Sequence, residues 1–322
     1  MTKPLPVTFH DVAAAAARIA PFVRRTPVMT SQRLDDLLGC QVVFKCENLQ
    51  RAGAFKARGA HNAVFALDEG QVARGVVTHS SGNHGAALSL AARNRGTTAF
   101  IVMPSNAPRS KVDAVRRLGG EIRFCEPTIQ AREAGAAAII AEHGAALVHP
   151  YDDLQVIAGQ GTATLEFLAE VPTLDAILAP VGGGGLMSGT AVAARGLMPK
   201  VRLWASEPEQ ADDAYRSWRS GVRTPGNPPD TIADGLRTTL GENGFVILRA
   251  LLDDFITVRE DSIVAAMRLA WEALRIVIEP SSAVPLAALL EGGLEVQGRQ
   301  VGIILTGGNV DLDHLPWQGP AT

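Results

Sequence analysis

The sequence predicts an α/β fold of two lobes, with parallel twisted sheets flanked by helices. Three observations predict it. A short β-branched run, a glycine or polar turn, and an alanine-rich stretch recur in that order along most of the chain. Apolar residues make up 47% and charged residues 20%, enough for a sizeable buried core. The 322 residues are long for one core and comfortable for two lobes sharing a cleft.

Candidate strands are Val42–Lys45, Val76–His79, Thr98–Met103, Ile122–Cys125, Leu147–His149, Ala176–Pro180, Val201–Ala205, Ile256–Val258 and Val301–Leu305. They alternate with helical stretches, which implies parallel sheets covered on both faces. The stretches are Phe55–Ala66, Asn83–Asn94, Ser110–Leu118, Ile129–His143, Gln155–Leu168, Gly185–Gly196, Ile263–Ala273 and Ser281–Leu290. Asp11 is a plausible N-cap for a helix over Val12–Ile19, and Asp261 or Ser262 for the one from Ile263. Four strand–helix units between about Gly75 and Pro150 group together. They predict a small domain over 75–150 and a large one from 1–74 plus 151–322.

Composition excludes several classes of function. The formal net charge is -3, so no basic excess is available to neutralise a nucleic-acid backbone. Three cysteines, Cys40, Cys46 and Cys125, form no CxxC pair. That argues against a disulfide framework or structural zinc and fits a reducing cytoplasm. The alanine run near the N-terminus is bracketed by Asp11 and Arg18, and is too weakly apolar for a signal sequence. No stretch of about 18 uncharged apolar residues occurs that would span a membrane.

Five segments carry chemistry. In Glu47–Ala60, Lys56 follows a loop containing Gly53 and starts a helix, where the dipole disfavours an ammonium. Such an amine suits a neutral or imine-bonded role. Taken alone, an exposed lysine in a first helical turn explains it better. Thr78–Gly85 sets Ser80, Ser81, Asn83 and His84 at a strand's carboxyl end, where ligands bind in open α/β sheets. Capping needs only one such residue. In Pro180–Leu186, Gly182, Gly183, Gly184 and Gly185 can turn their N–H groups to one point, with a helix dipole behind them, as a phosphate requires. The spacing is neither GxGxxG nor a Walker loop. Thr306, in Leu305–Val310, is a hydroxyl at another strand end. In Ser206–Ala214, Glu207 and Asp213 could share a hard cation such as Mg²⁺ or Ca²⁺. On the residues alone, acids at a helix N-terminus explain that cluster better.

Together these segments resemble the fold-type II pyridoxal-5′-phosphate (PLP) enzymes, tryptophan synthase β-like in fold. Within them, they resemble the threonine/serine dehydratase and serine racemase family. The likeness runs through Glu47–Ala60, Ser80–Gly85, His149-Pro150, Ile157–Thr162, Gly182–Gly185, Thr231–Gly235, Glu279–Ser282 and Thr306–Asn309. It implies that Lys56 carries PLP as an imine, that Phe55 and Asn83 hold the ring, and that Gly182–Gly185 cradle the phosphate. It gives Thr306 to the pyridine nitrogen and adds Glu279 to the cofactor set. Ser80, Ser81, Gly82, Asn83 and His84 become the loop for the substrate carboxylate. Ser81 stands where serine racemases carry the acid/base opposite the lysine. Glu207, the carbonyl of Ala211 and Asp213 match the family's cation site, for Mg²⁺, Ca²⁺ or Mn²⁺, which reverses the reading of that cluster. The large domain would bind PLP and the small one close over the substrate.

The resemblance implies dehydration of a small β-hydroxy-α-amino acid such as L-threonine or L-serine to a 2-oxo acid and ammonia, in a homodimer. The alternatives are a serine racemase with dehydratase side activity, or a dehydratase of phenylserine- or 3-hydroxyaspartate-type substrates. A neutral hydroxyl at the ring nitrogen limits charge delocalisation and favours elimination. Racemisation needs a second proton donor, which Ser81 would supply. Ala54 replaces the usual serine before Phe-Lys. Counting along 125–150 puts Ala138 where racemases carry an arginine beside the substrate, which counts against a second carboxylate. Tyr151 and Ala86 depart from the nucleotide-binding residues of the animal racemases.

Overall fold

Two sheets organise the chain, and helices cover both faces of each. The structure is a computed structural model that describes residues 4–80, 82–226 and 228–318.

Helix α1 (Phe9–Ile19) starts at Thr8, whose side chain accepts from the Asp11 amide while the Asp11 carboxylate takes the Thr8 amide. Asp11 is therefore the third residue of a capping box, and the N-cap lies three residues earlier than expected. Strand β1 (Val28–Thr30), helix α2 (Gln32–Leu38) and strand β2 (Gln41–Cys46) follow, then α3 (Lys56–Phe65) and α4 (Glu69–Arg74). The next segment alternates regularly: β3 (Val76–Thr78), α5 (Asn83–Arg95), β4 (Ala99–Pro104), α6 (Arg109–Arg117), β5 (Glu121–Cys125), α7 (Ile129–His143) and β6 (Ala146–Leu147). After it come α8 (Leu154–Glu170), β7 (Ala176–Pro180), α9 (Gly185–Leu197), β8 (Arg202–Pro208), α10 (Asp213–Ser220) and α11 (Glu242–Leu251). The last described elements are β9 (Asp254–Val258), α12 (Glu260–Leu274), α13 (Pro280–Glu291) and β10 (Gln300–Leu305).

The larger sheet runs β1-β2-β10-β7-β8-β9 and the smaller β5-β4-β3-β6. All pairings are parallel except β1 with β2, where Val28 faces Lys45. The all-parallel expectation fails at this edge because three residues carry too little periodic signal to be read as a strand. Three of the four expected strand–helix units are complete within the small-sheet segment, and the helix after β6, α8, packs on α3 and α9. Helix α12 begins at Glu260 with Arg259 as its cap, and the Asp261 carboxylate instead takes the Ser262 amide.

Apolar clusters lie on both faces of the large sheet. One joins β2, β7 and β10 to α2, α12 and α13; the other joins β7 and β8 to α8, α9 and α11. This double burial explains why β7 is apolar throughout. Helix α3 is locked by charge as well. Arg58 is fully buried and holds Glu47 and Glu166 at 2.7 Å each, while Lys45 meets Glu166 at 2.8 Å. Removing one member of such a buried set costs about 3–5 kcal/mol. Helices α3 and α8 nearly touch at Gly59 and Gly159, where a Cβ on Gly159 would lie 2.7 Å from the Gly59 Cα.

Candidate active site

The loop before Lys56 is fastened to the end of β10. The Gly308 amide donates to the Gly53 carbonyl at 3.0 Å and the Phe55 amide to the Thr306 carbonyl at 2.9 Å. Gly53 sits at φ 73, a left-handed position that suits glycine. Lys56 then opens α3, with its Nζ donating to the Pro150 carbonyl at 2.7 Å. Burial lowers its pKa to about 8, and Glu279 opposes that shift. The amine is therefore partly neutral near neutral pH, as an imine-forming lysine requires.

The four glycines form a turn packed too closely to its neighbours to admit side chains. Gly184 has φ 89, and α9 starts at Gly185 with its amides directed back at the turn. A Cβ on Gly183 would lie 2.1 Å from the ring of Tyr151. One on Gly182 would lie 2.9 Å from both the Leu236 Cα and the Thr238 hydroxyl. A bare backbone at a helix N-terminus is a fitting cradle for a phosphate.

Asn83 crosses from the small-sheet segment to the large. Its amide donates to both oxygens of Glu279, at 2.9 and 3.0 Å, and its carbonyl oxygen accepts from Asn309 at 2.8 Å. Burial and then Asp234 raise the Glu279 pKa to about 7. The Glu279 amide donates to the Gly307 carbonyl, and Ser282 Oγ lies 2.9 Å from Thr306 Oγ1. Phe55, Lys56, Asn83, Glu279 and Thr306 thus belong to one connected site.

Ser80 and Gly82 are half-buried at the carboxyl end of β3. Ser81 lies outside the described residues. His84 is buried, with Nε2 3.3 Å from the Val148 carbonyl, and burial and then Lys56 hold its pKa well below the usual value. Beside them His79, His149 and Tyr151 stand edge to face, with centroids 5.5 and 4.6 Å apart. His149 Nδ1 accepts from the Asp152 amide at 2.9 Å, and burial brings its pKa to about 4, so it is neutral.

Glu207 and Asp213 come together where β8 passes into α10. Glu207 Oε2 accepts from the Tyr215 amide at 3.0 Å and Asp213 Oδ2 from the Leu240 amide at 2.8 Å. Glu207 Oε1 is buried without a partner among the described residues. Burial and then Asp213 push the Glu207 pKa well up, and burial raises that of Asp213. Ala211 is buried in the short turn between them. Among the described residues no three His, Cys, Asp or Glu side chains cluster as metal ligands. A cation here would therefore need the Ala211 carbonyl and water, which suits a hard ion.

Three roles escaped sequence reasoning. Tyr151 seats its ring on Gly183, and Thr238 keeps a buried hydroxyl without a partner among the described residues beside Gly182. Arg132 is the third. Ala138 is exposed on α7. On the same helix Glu133 and Arg132 lie near His79 and Tyr151, and their charges act on both groups with opposite signs, each less than burial does. At 3.6 residues per turn Arg132 stands about 120° around α7 from Ala138, so the two are on different faces of the helix.

The model of the family described as pyridoxal-phosphate dependent enzyme matches residues 19–307. The chain belongs to that family. It is 52% identical over 310 residues to a beta-hydroxyaspartate dehydratase of Paracoccus denitrificans (strain Pd 1222), covering 96% of this chain and 98% of that one. The crystal structure of serine racemase from Dictyostelium discoideum superposes with a TM-score of 0.91 at 49% identity, covering 95% of this chain and 99% of that one. The crystal structure of a threonine deaminase from T.th. superposes with a TM-score of 0.90 at 44% identity, covering 94% of this chain and 99% of that one. The fold is that of the fold-type II PLP enzymes.

Proposed function

We propose that this PLP enzyme removes water from a small β-hydroxy-α-amino acid, giving a 2-oxo acid and ammonia. The observation that carries the reading is the buried Lys56 amine, its pKa lowered to about 8, in a connected site with Asn83, Glu279 and Thr306 and beside a bare glycine turn. When bound, PLP would supply the sink for the electron pair left at the α-carbon. Residues 1–74 and 151–322 would hold it, and 75–150 would close over the substrate.

The chain's own groups have distinct tasks. Lys56 Nζ takes the α-proton, because a partly neutral amine can accept one. Phe55 and Asn83 would hold the ring, with Asn83 oriented by Glu279 and Asn309. Gly182–Gly185 would hold the phosphate through backbone amides, and the Thr306 hydroxyl would serve the pyridine nitrogen. Ser80, Ser81, Gly82, Asn83 and His84 receive the α-carboxylate. Glu207, the Ala211 carbonyl and Asp213 would hold Mg²⁺, Ca²⁺ or Mn²⁺; the unpartnered Glu207 oxygen and the mutual repulsion of the acids support a cation there. No described helix is long and apolar enough to cross a membrane. The three free cysteines support a reducing cytoplasm, and the resemblance supports a homodimer.

A specific observation widens the substrate class. Arg132 lies near His79 and Tyr151 with Glu133 beside it, and none of the ion pairs among the described residues involves Arg132. A guanidinium held ready there suits a second carboxylate, so 3-hydroxyaspartate joins threonine and serine as a candidate. Racemisation is the second reading, because Ser81 would give a proton donor on the other face.

The experiment is direct. The purified protein is incubated separately with L-threonine, L-serine and the isomers of 3-hydroxyaspartate, and 2-oxo acid, ammonia and inverted amino acid are measured. Oxo acid and ammonia should form in equal amounts, faster than inversion. D-serine appearing faster than pyruvate would reverse the ranking. Ser81→Ala should abolish inversion and spare much of the elimination.

A further inference from the structure

Several polar contacts tie the small-sheet segment to the large-sheet segment, and two of them lie at different depths. The inner contact is Asn83 with Glu279. The outer is an ion pair between Lys111, in the first turn of α6, and Asp234, in the turn 234–236. Their side chains are 32% and 38% exposed, so the outer pair sits at the surface while Glu279 is buried. Neither residue takes part in the chemistry described above.

Each pair is braced onto the same two bodies. Helix α6 packs on α5, which begins with Asn83. On the other side, the Gly235 amide donates to Ser281 Oγ at 3.0 Å, in the first turn of α13 just after Glu279. The Asp234 turn is further fixed by Ile232 donating to Glu260 at 2.9 Å and by Arg237 donating to the Thr231 carbonyl. A pull between Lys111 and Asp234 therefore brings Asn83 onto Glu279. Both charges also act at Glu279: after burial, Asp234 raises its pKa and Lys111 lowers it.

We propose that Lys111 and Asp234 form a positioning clamp that holds the cleft closed over bound substrate and keeps Asn83 seated on Glu279. The inference rests on the cleft being the active site. A half-exposed pair contributes modestly and is screened by salt, so the clamp biases closure and does not lock it.

The test combines kinetics with backbone exchange on the holoenzyme. Lys111→Met and Asp234→Asn should each raise KM for the best β-hydroxy amino acid by about threefold to fivefold, with kcat within about twofold. In the absence of substrate, the amides of α5 and of Gly235 should exchange hydrogen for deuterium faster in both variants. The swapped protein, Lys111→Asp with Asp234→Lys, should recover KM and protection, which separates the pair from a loss of folding. Unchanged KM and exchange in the single variants would overturn the clamp, as would a swap no better than either single change. Failure of the catalytic reading would look different: no turnover at all, with the exchange differences intact.

Discussion

The side-chain amine of Lys56 donates to the carbonyl oxygen of Pro150 at 2.7 Å, and the next residue, Tyr151, lies against Gly183. One short strap, 149–152, therefore touches both the amine and the glycine turn. Its shape is set by His149 Nδ1 taking the Asp152 amide, and by Asp152 accepting from the Glu242 and Asn243 amides at the start of α11.

The strap makes Gly183 sensitive to a single methyl. In Gly183→Ala the added carbon meets the Tyr151 ring at 2.1 Å, so the ring or the turn must move. Overpacking of this kind costs about 1–3 kcal/mol, which corresponds to roughly 5- to 150-fold weaker PLP binding. Titration of PLP into the apoprotein measures it. The double variant with Tyr151→Ala should recover most of the loss, because the obstruction is gone.

Arg132 predicts a change of preference. Arg132→Ala should lower kcat/KM for 3-hydroxyaspartate on the order of 100-fold, because a charge-assisted contact to the second carboxylate is lost. The value for L-threonine should stay within about threefold. Ala138→Ser, on the exposed face of α7, should change neither substrate.

These residues show what was legible in the chain and what was not. Strands such as Ala176–Pro180 and helices such as Ile129–His143 declare themselves by apolar runs and by length, and they form where expected. The short β1 and the polar α10 do not, since their formation depends on tertiary partners. Lys56, Asn83 and the glycines were found through their places in recognisable motifs. Glu279 was found too, yet its hold on Asn83 joins residues 196 positions apart and no local pattern states it. Tyr151, Thr238 and Arg132 matter for what the fold brings near them, which no local pattern states.

The Glu207–Asp213 pair predicts a metal-linked dependence on pH. The Glu207 carboxyl lies well above its ordinary 4.5 in the folded chain, so the folded state binds a proton more readily than the unfolded one. In metal-stripped protein, stability should therefore fall as pH rises from about 4.5 towards the raised pKa. A bound divalent cation favours the ionised acids and should flatten that fall. Melting temperatures across pH, with chelator and with Mg²⁺ or Ca²⁺, check this. In Glu207→Gln the metal-dependent difference should disappear.

The central claim is that the Lys56 amine bonds covalently to PLP. The purified protein, supplied with PLP and desalted, is scanned for visible and near-ultraviolet absorption, reduced with borohydride and digested for mass spectrometry. The prediction is a cofactor band, a pyridoxyl mass on the peptide bearing Lys56, and loss of both in Lys56→Ala. A colourless protein, or a label confined to another lysine, would contradict it.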